Sequence, residues 1–178
     1  MPEALEVPET LAVETPGFAA LVREHQAMVF SIAYACLRDR AAAEEVAQDV
    51  FLELHRNLGT LESPAHVVNW LRRVAAHRSI DRARRWRFRL FSPLTEAPEP
   101  VAPAPQGDVL RDEMLRQLVA SLPAKLRMAV ILRYQEDLDV ADIARLLDMP
   151  ARTVKSHLQR SLALLRQKLS HRGGEISI

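Results

Sequence analysis

The chain has 178 residues, with 24 Lys plus Arg against 23 Asp plus Glu and a formal net charge of +1. That balance excludes a uniformly basic chromatin-type protein and a wholly acidic disordered tail. The length allows one ordinary domain or two small ones. Five Gly argue against glycine-rich phosphate loops and turn-dense β architectures, and the single Cys36 excludes an internal disulfide and any multi-cysteine zinc site.

The charge is unevenly distributed. Residues 1–17 carry −4, residues 18–90 carry +4, residues 91–110 carry −3 and residues 111–178 carry +4. Two basic blocks are thus separated by acidic, proline-bearing stretches, the pattern of two nucleic-acid-facing modules joined by a linker. There is no basic leader followed by an apolar core, and no apolar run approaches membrane-spanning length, so the expectation is a soluble, cytoplasmic protein without membrane insertion.

In chain order, residues 1–17 contain Pro2, Pro8, Pro16 and Gly17 and are expected to form a flexible acidic tail. From Phe18 a helical period begins, with Leu21, Val22, His25, Val29, Ile32, Ala33 and Cys36 at steps of three and four. A second helix is predicted from Arg40 to Asn57, stopped by Gly59. Its inner stripe is Ala43, Val46, Ala47, Val50, Phe51 and Leu54, and its other face shows Glu44, Glu45, Gln48, Asp49 and Glu53. A loop containing Pro64 follows, then a third helix from Ala65 or His66 towards Arg87, with Val67, Trp70, Leu71, Val74 and Ala75 inward.

The end of that helix, HRSIDRARRWRFR (His77 to Arg89), holds six Arg, one Asp and two aromatics. Arg78, Arg82, Arg85 and Arg89 share a face and repel one another unless a polyanion is present. Interleaved Trp86 and Phe88 suit phosphate tracking with base stacking. A bland surface helix is the competing interpretation, with Asp81 paired to Arg78 or Arg85. Residues 91–108 carry five prolines and no basic residue, and are expected to be an extended linker.

Helices resume over Val109–Ser121 and Ala124–Gln135, with Pro123 in the first turn of the latter. Asp139–Leu147 and Ala151–Leu169 then form a helix-turn-helix pattern. Asp139 is a good N-cap, Asp148 tolerates a left-handed turn and Pro150 pre-sets the next helix. Ile143, Leu146 and Leu147 should face inward against Val154, Leu158, Leu162, Leu165 and Leu169. Arg152, Thr153, Lys155, Ser156, His157, Gln159 and Arg160 should then face outward, where they suit phosphate and base-edge contacts in a major groove. Strand-like alternation is absent, so the predicted fold class is all-α, as two small helical domains. Cys36 lies on an apolar stripe and the six His have no metal-ligand spacing, so neither an enzyme nor a cofactor or metal is expected.

These motifs together resemble the extracytoplasmic-function group of sigma-70 family RNA polymerase sigma factors. AEEVAQDVF (Ala43 to Phe51) is similar to the AED-x-x-Q-x-x-F helix of that family's region 2. WLRRVAAHRSIDRARR (Trp70 to Arg85) is similar to its W-L-x-x-I-A-x-N-x-x-x-D-x-x-R-R segment. LPAKLRMAVILR (Leu122 to Arg133) and DIA…TVKSHLQRS resemble region 4. Departures are His77 for Asn, Asp148 for Gly, Pro150 for Ser, His157 for Arg and Ser161 for Ala. The resemblance implies a region 2 domain over 18–90, a linker over 91–108, a region 4 domain over 109–172 and a short tail over 173–178. It further implies docking on core RNA polymerase, with Glu44, Glu45, Gln48, Asp49 and Glu53 on the β′ clamp and region 4 on the β flap. Promoter contacts would be His77, Arg78, Arg82, Arg84 and Arg85 at the −10 element, with capture of a flipped base by the loop Gly59–His66, and the helix-turn-helix at the −35 element. An anti-sigma factor is implied as regulator. The alternatives are a stand-alone helix-turn-helix transcriptional regulator, which leaves the region 2 motifs unused, and a sigma-like protein that binds polymerase without using promoters.

Overall fold

The structure, a computed structural model, describes residues 17–90 and 108–174. Most of the predicted N-terminal tail, the linker over 91–107 and residues 175–178 lie outside the described residues. The described residues form helices α1 (Phe18–Leu37), α2 (Arg40–Asn57), α3 (Pro64–Leu90), α4 (Asp108–Ala120), α5 (Ala124–Tyr134), α6 (Val140–Leu146) and α7 (Ala151–Gly174), with one 3-10 turn at Leu58–Thr60 and no strand. The fold is all-α, as two small helical domains.

Local chemistry explains most boundaries. α1 ends where Arg38 turns left-handed at φ 56° and its N–H bonds the Tyr34 carbonyl. Asp39 then caps α2 by accepting from the Ala42 N–H at 2.8 Å. α3 starts earlier than expected. Ser63 caps it, its hydroxyl accepting from the His66 N–H at 3.2 Å, so Pro64 sits at the first helical position, where a missing N–H costs nothing. Pro123, expected inside the first turn of α5, is instead its N-cap residue. Asp139 caps α6 at 2.7 Å from the Asp142 N–H, while the Asp142 carboxylate turns to Arg145 rather than back to the cap. Asp148 takes φ 51°, the left-handed turn between α6 and α7.

The buried stripes of α1, α2 and α3 follow the predicted spacing, and each of the three helices packs against the other two. α7 departs from its predicted stripe. Val154 and Leu165 are buried, Leu158 and Leu162 are half-buried, and Leu169 is 41% exposed. Ser161 occupies the inner position between them, its hydroxyl donating to the His157 carbonyl at 2.8 Å. The last turns of α7 extend past the helices that would cover them.

The two halves do not stand apart as an extended linker suggested. α5 is apolar on two faces. Leu126 and Val130 pack with Leu118, Leu122 and Leu165 in a small core of their own. Ala124, Met128, Ile131 and Leu132, with Ile143 and Leu146 of α6 and Leu147 just after it, join the core of α1–α3. Polar contacts seal this seam. Arg127 of α5 donates to the carbonyls of Cys36 and of Leu122, the latter at 2.9 Å. Arg38 pairs with Glu113 at 2.5 Å and lies over the Tyr34 ring. Arg72 pairs with Glu136 at 3.1 Å, where the Glu136 side chain is only 9% exposed.

Candidate nucleic-acid and polymerase interfaces

α2 presents Glu44, Glu45, Gln48 and Asp49 as exposed residues, and Glu53 as half-buried, on the side away from its buried stripe. Glu44 is held by Arg40, one turn earlier, at 2.8 Å. Gln48 borders an apolar groove formed with Val22, Phe30, Ala47 and Leu52. Leu52 is 57% exposed, and lying off the inner stripe it carries no periodic signal that sets it apart in the sequence. Glu44, Gln48 and Leu52 follow at i, i+4 and i+8, so this face of α2 offers charge, amide and apolar surface in line.

α3 packs against α2 so that residues of the two predicted sites share one groove. A cavity of about 470 Å³ is lined by Asp49 and Glu53 from α2 and by His77, Arg78, Arg82 and Arg85 from α3. Arg78 donates to Glu53 from Nη2 at 2.6 Å and from Nε at 3.1 Å, and to Asp49 at 3.1 Å. Arg82 pairs with Glu45 at 2.5 Å. The arginines therefore find carboxylates across the helix pair, and the competing assignment of Arg78 to Asp81 does not describe its contacts. Arg84 and Arg85 are exposed. Trp70 is half-buried, packed on the core and bordering a second cavity of about 250 Å³ with His66, Asn69 and Arg73. Arg73 was also missed; its signal was its place one turn before His77 on the same face. Phe88 and Arg89 lie where side chains are not described.

In α7 the predicted contact residues Arg152, Lys155, Ser156, Gln159 and Arg160 are exposed, and Thr153 is half-buried at the start of the helix. The helix carries six basic and no acidic residues over its whole length. His157 departs from the outward prediction. It is half-buried, and burial first, then the positive charges of Lys125 and Arg160, hold its imidazole below the ordinary value. Its Nδ1 has no hydrogen-bond partner among the described residues. It therefore presents a neutral ring at neutral pH. No group of His, Cys, Asp or Glu that would hold a metal occurs among the described residues, and no helix there is long and apolar enough to cross a membrane.

Comparison with known proteins matches both halves. Residues 21–89 match the family described as Sigma-70 region 2, and residues 112–165 match Sigma-70, region 4. The chain is 27% identical over 166 residues to the ECF RNA polymerase sigma factor SigW of Bacillus subtilis, covering 86% of this chain and 89% of that one. It is 29% identical over 174 residues to the ECF RNA polymerase sigma factor SigM of Mycobacterium tuberculosis, covering 96% and 88%. With the probable RNA polymerase sigma factor RfaY of Xanthomonas campestris it shares 30% identity over 176 residues, but spans only 44% of that protein's length. Among solved structures, the sigma factor RpoE of Bartonella quintana, in complex with the anti-sigma factor NepR, has the same fold at TM-score 0.68 and 20% identity, covering 86% of this chain and 96% of that one. An acidic and apolar face on α2, an arginine-bearing α3 and an acid-free helix after a helix-turn-helix turn thus occur inside two matched regions in the expected order: the chain belongs to the sigma-70 family of RNA polymerase sigma factors, in its extracytoplasmic-function group.

Proposed function

We propose that this cytoplasmic chain binds core RNA polymerase, brings it to promoters and directs transcription initiation, making and breaking no bond itself. The observation that carries the proposal is the pairing of a region 2 match with a region 4 match, each with its basic face on a helix that reaches the surface. The α2 face of Glu44, Glu45, Gln48, Asp49 and Glu53, extended by Leu52, docks on the β′ clamp, and region 4 meets the β flap. His77, Arg78, Arg82, Arg84 and Arg85 hold the phosphates around an opened −10 element. Capture of an unstacked base by the loop before α3 then compensates for the lost stacking. Arg152, Thr153, Lys155, Ser156, His157, Gln159 and Arg160 read the −35 element in the major groove, with His157 acting as a hydrogen-bonding ring rather than a cation. The residues of 18–90 and 109–172 act as two domains that the proline-bearing segment 91–108 allows to separate. An anti-sigma factor is the expected regulator, in keeping with the complexes in which fold neighbours were solved.

Run-off transcription with purified core polymerase on genomic fragments tests this. Specific initiation dependent on the chain is the expected result. Normal core binding without specific initiation would overturn promoter use, and tight duplex binding without any core binding would favour a stand-alone helix-turn-helix regulator.

A further inference from the structure

The polar face of α2 divides into two rows with different neighbours. Glu44, Gln48 and Leu52 form one row, and the Glu44 ion pair stays within α2, at Arg40. Glu45, Asp49 and Glu53 form the other, again one turn apart, and each of them meets an arginine of α3. Arg78 and Arg82 are themselves one turn apart, so the two rows lie against each other as a ladder. Arg82 takes Glu45 at 2.5 Å. Arg78 works as a fork between the other two. Its Nε and Nη2 both donate to Oε2 of Glu53, at 3.1 and 2.6 Å, and its Nη1 donates to Oδ2 of Asp49 at 3.1 Å.

The ladder joins groups that the proposed function gives to two different partners, the carboxylates to polymerase and the arginines to DNA. A carboxylate tied to a guanidinium has part of its charge cancelled, and must release it before pairing fully with a cationic surface. The same holds for the arginine and a phosphate. These side chains are between 36% and 59% exposed, so the pairs are weak and can be exchanged for an outside partner. The neighbouring row of Glu44, Gln48 and Leu52 has no such tie to α3 through Glu44, and offers a contact that the exchange does not touch.

We propose that Arg78 and Arg82 set how tightly polymerase is held, by competing with it for Glu45, Asp49 and Glu53, and that single-stranded DNA raises this affinity by drawing the two arginines away. The competition rests on the proposed docking of α2; the ion pairs themselves do not. With a strand on α3, the three carboxylates face polymerase without an internal rival. When the strand leaves, the arginines return to α2 and the hold on polymerase loosens. Linkage makes the effect reciprocal, so polymerase on α2 frees the arginines for DNA by the same factor.

Titration of core polymerase against the full-length chain, carrying a dye at its N-terminus, tests the competition. The variant pair is Arg78→Gln with Arg82→Gln, two partly exposed side chains whose replacement leaves the core intact. A charge-matched control carries Arg23→Gln and Arg56→Gln, at exposed positions. Without DNA, the variant should bind core polymerase about three- to tenfold more tightly than the control, the release expected from a few surface-type pairs acting together. Loss of a DNA contact alone would not move that value. A saturating mixed-sequence single-stranded 20-mer should tighten binding of the wild type by a similar factor and leave the variant nearly unchanged. Variant affinity equal to or weaker than the control overturns the competition, and weaker binding would mark the arginines as supports of the α2 face. An equal DNA effect on wild type and variant overturns the coupling. A third chain, with Glu45→Gln, Asp49→Asn and Glu53→Gln, should bind polymerase severalfold more weakly. If it binds normally, the docking reading of α2 fails and the competition with it, whereas weak binding there with no gain from the arginine variant overturns the competition alone.

Discussion

Cys36 shows how burial disposes of a reactive group. Its thiol is fully buried on α1, and burial, opposed in part by the nearby Arg127 charge, pushes its pKa up to about 11. A thiol so raised is almost entirely protonated at neutral pH and is a poor nucleophile. Iodoacetamide at pH 8 should leave folded protein unmodified over a time in which denatured protein reacts completely, as mass spectrometry would report. Among the described residues, His157 gives a pH signature near neutrality. Its imidazole is held below the ordinary value of about 6.5 in the fold, while the unfolded chain titrates near that value. The contribution of this residue to stability is therefore intact above about pH 7 and is lost as pH falls through 6.5 towards the lowered folded value, because the unfolded state takes up the proton first. Urea midpoints at pH 7.5 and pH 5.5 should differ more for the wild type than for His157→Gln. The outward placement of His157 was a reasonable inference from helical period alone. Part of the lowering of its imidazole depends on where α5 brings the charge of Lys125, which no local pattern encodes.

At the scale of elements, caps and periods were legible and helix ends were less so. Asp39 and Asp139 both cap as their residue type favours, and Asp139→Ala should cost roughly 1 kcal/mol in urea denaturation, the usual worth of an N-cap. Pro64 was assigned to a loop because proline disrupts helix interiors, yet the same chemistry makes it acceptable at the first helical position after Ser63. α7 runs to Gly174, beyond the end expected at Leu169, and its final turns hold exposed Leu169. A stripe counted by spacing cannot show where its covering partners stop. The uniformly basic character of α7 supports a salt test of the proposed −35 contacts. Replacing Arg152 or Lys155 by Ala should weaken duplex binding and reduce the slope of log affinity against log salt by about one unit for each lost phosphate contact. An unchanged slope would remove that residue from the interface.

At the scale of the molecule, α5 is the element that joins the two regions. Arg127, within the LPAKLR motif, donates to the terminal carbonyls of two helices, Cys36 at the end of α1 and Leu122 just after α4. Its positive charge there also opposes the negative ends of both helix dipoles. Arg127→Met keeps the length of the side chain and removes both bonds. It should cost on the order of 3 kcal/mol, for two hydrogen bonds to a charged group, and lower the urea midpoint accordingly. The motif marked this segment for region 4, but nothing in its spacing indicated that its arginine reaches into region 2.

By itself the sequence determined the all-α class, the inner stripes of α1 to α3, the Asp139 cap and the order of the two charged modules. All of these follow from periods and residue chemistry acting over a few turns. Only the tertiary structure decided which charges meet. Arg78 and Arg82 lie on Asp49, Glu53 and Glu45, two assigned surfaces share one groove, and the helix-turn-helix turn rests on Arg73 and His77. Such pairings join residues 25 to 75 positions apart. Their partners are chosen by how apolar faces such as those of α5 pack, and that choice is a property of the assembled core rather than of any local pattern.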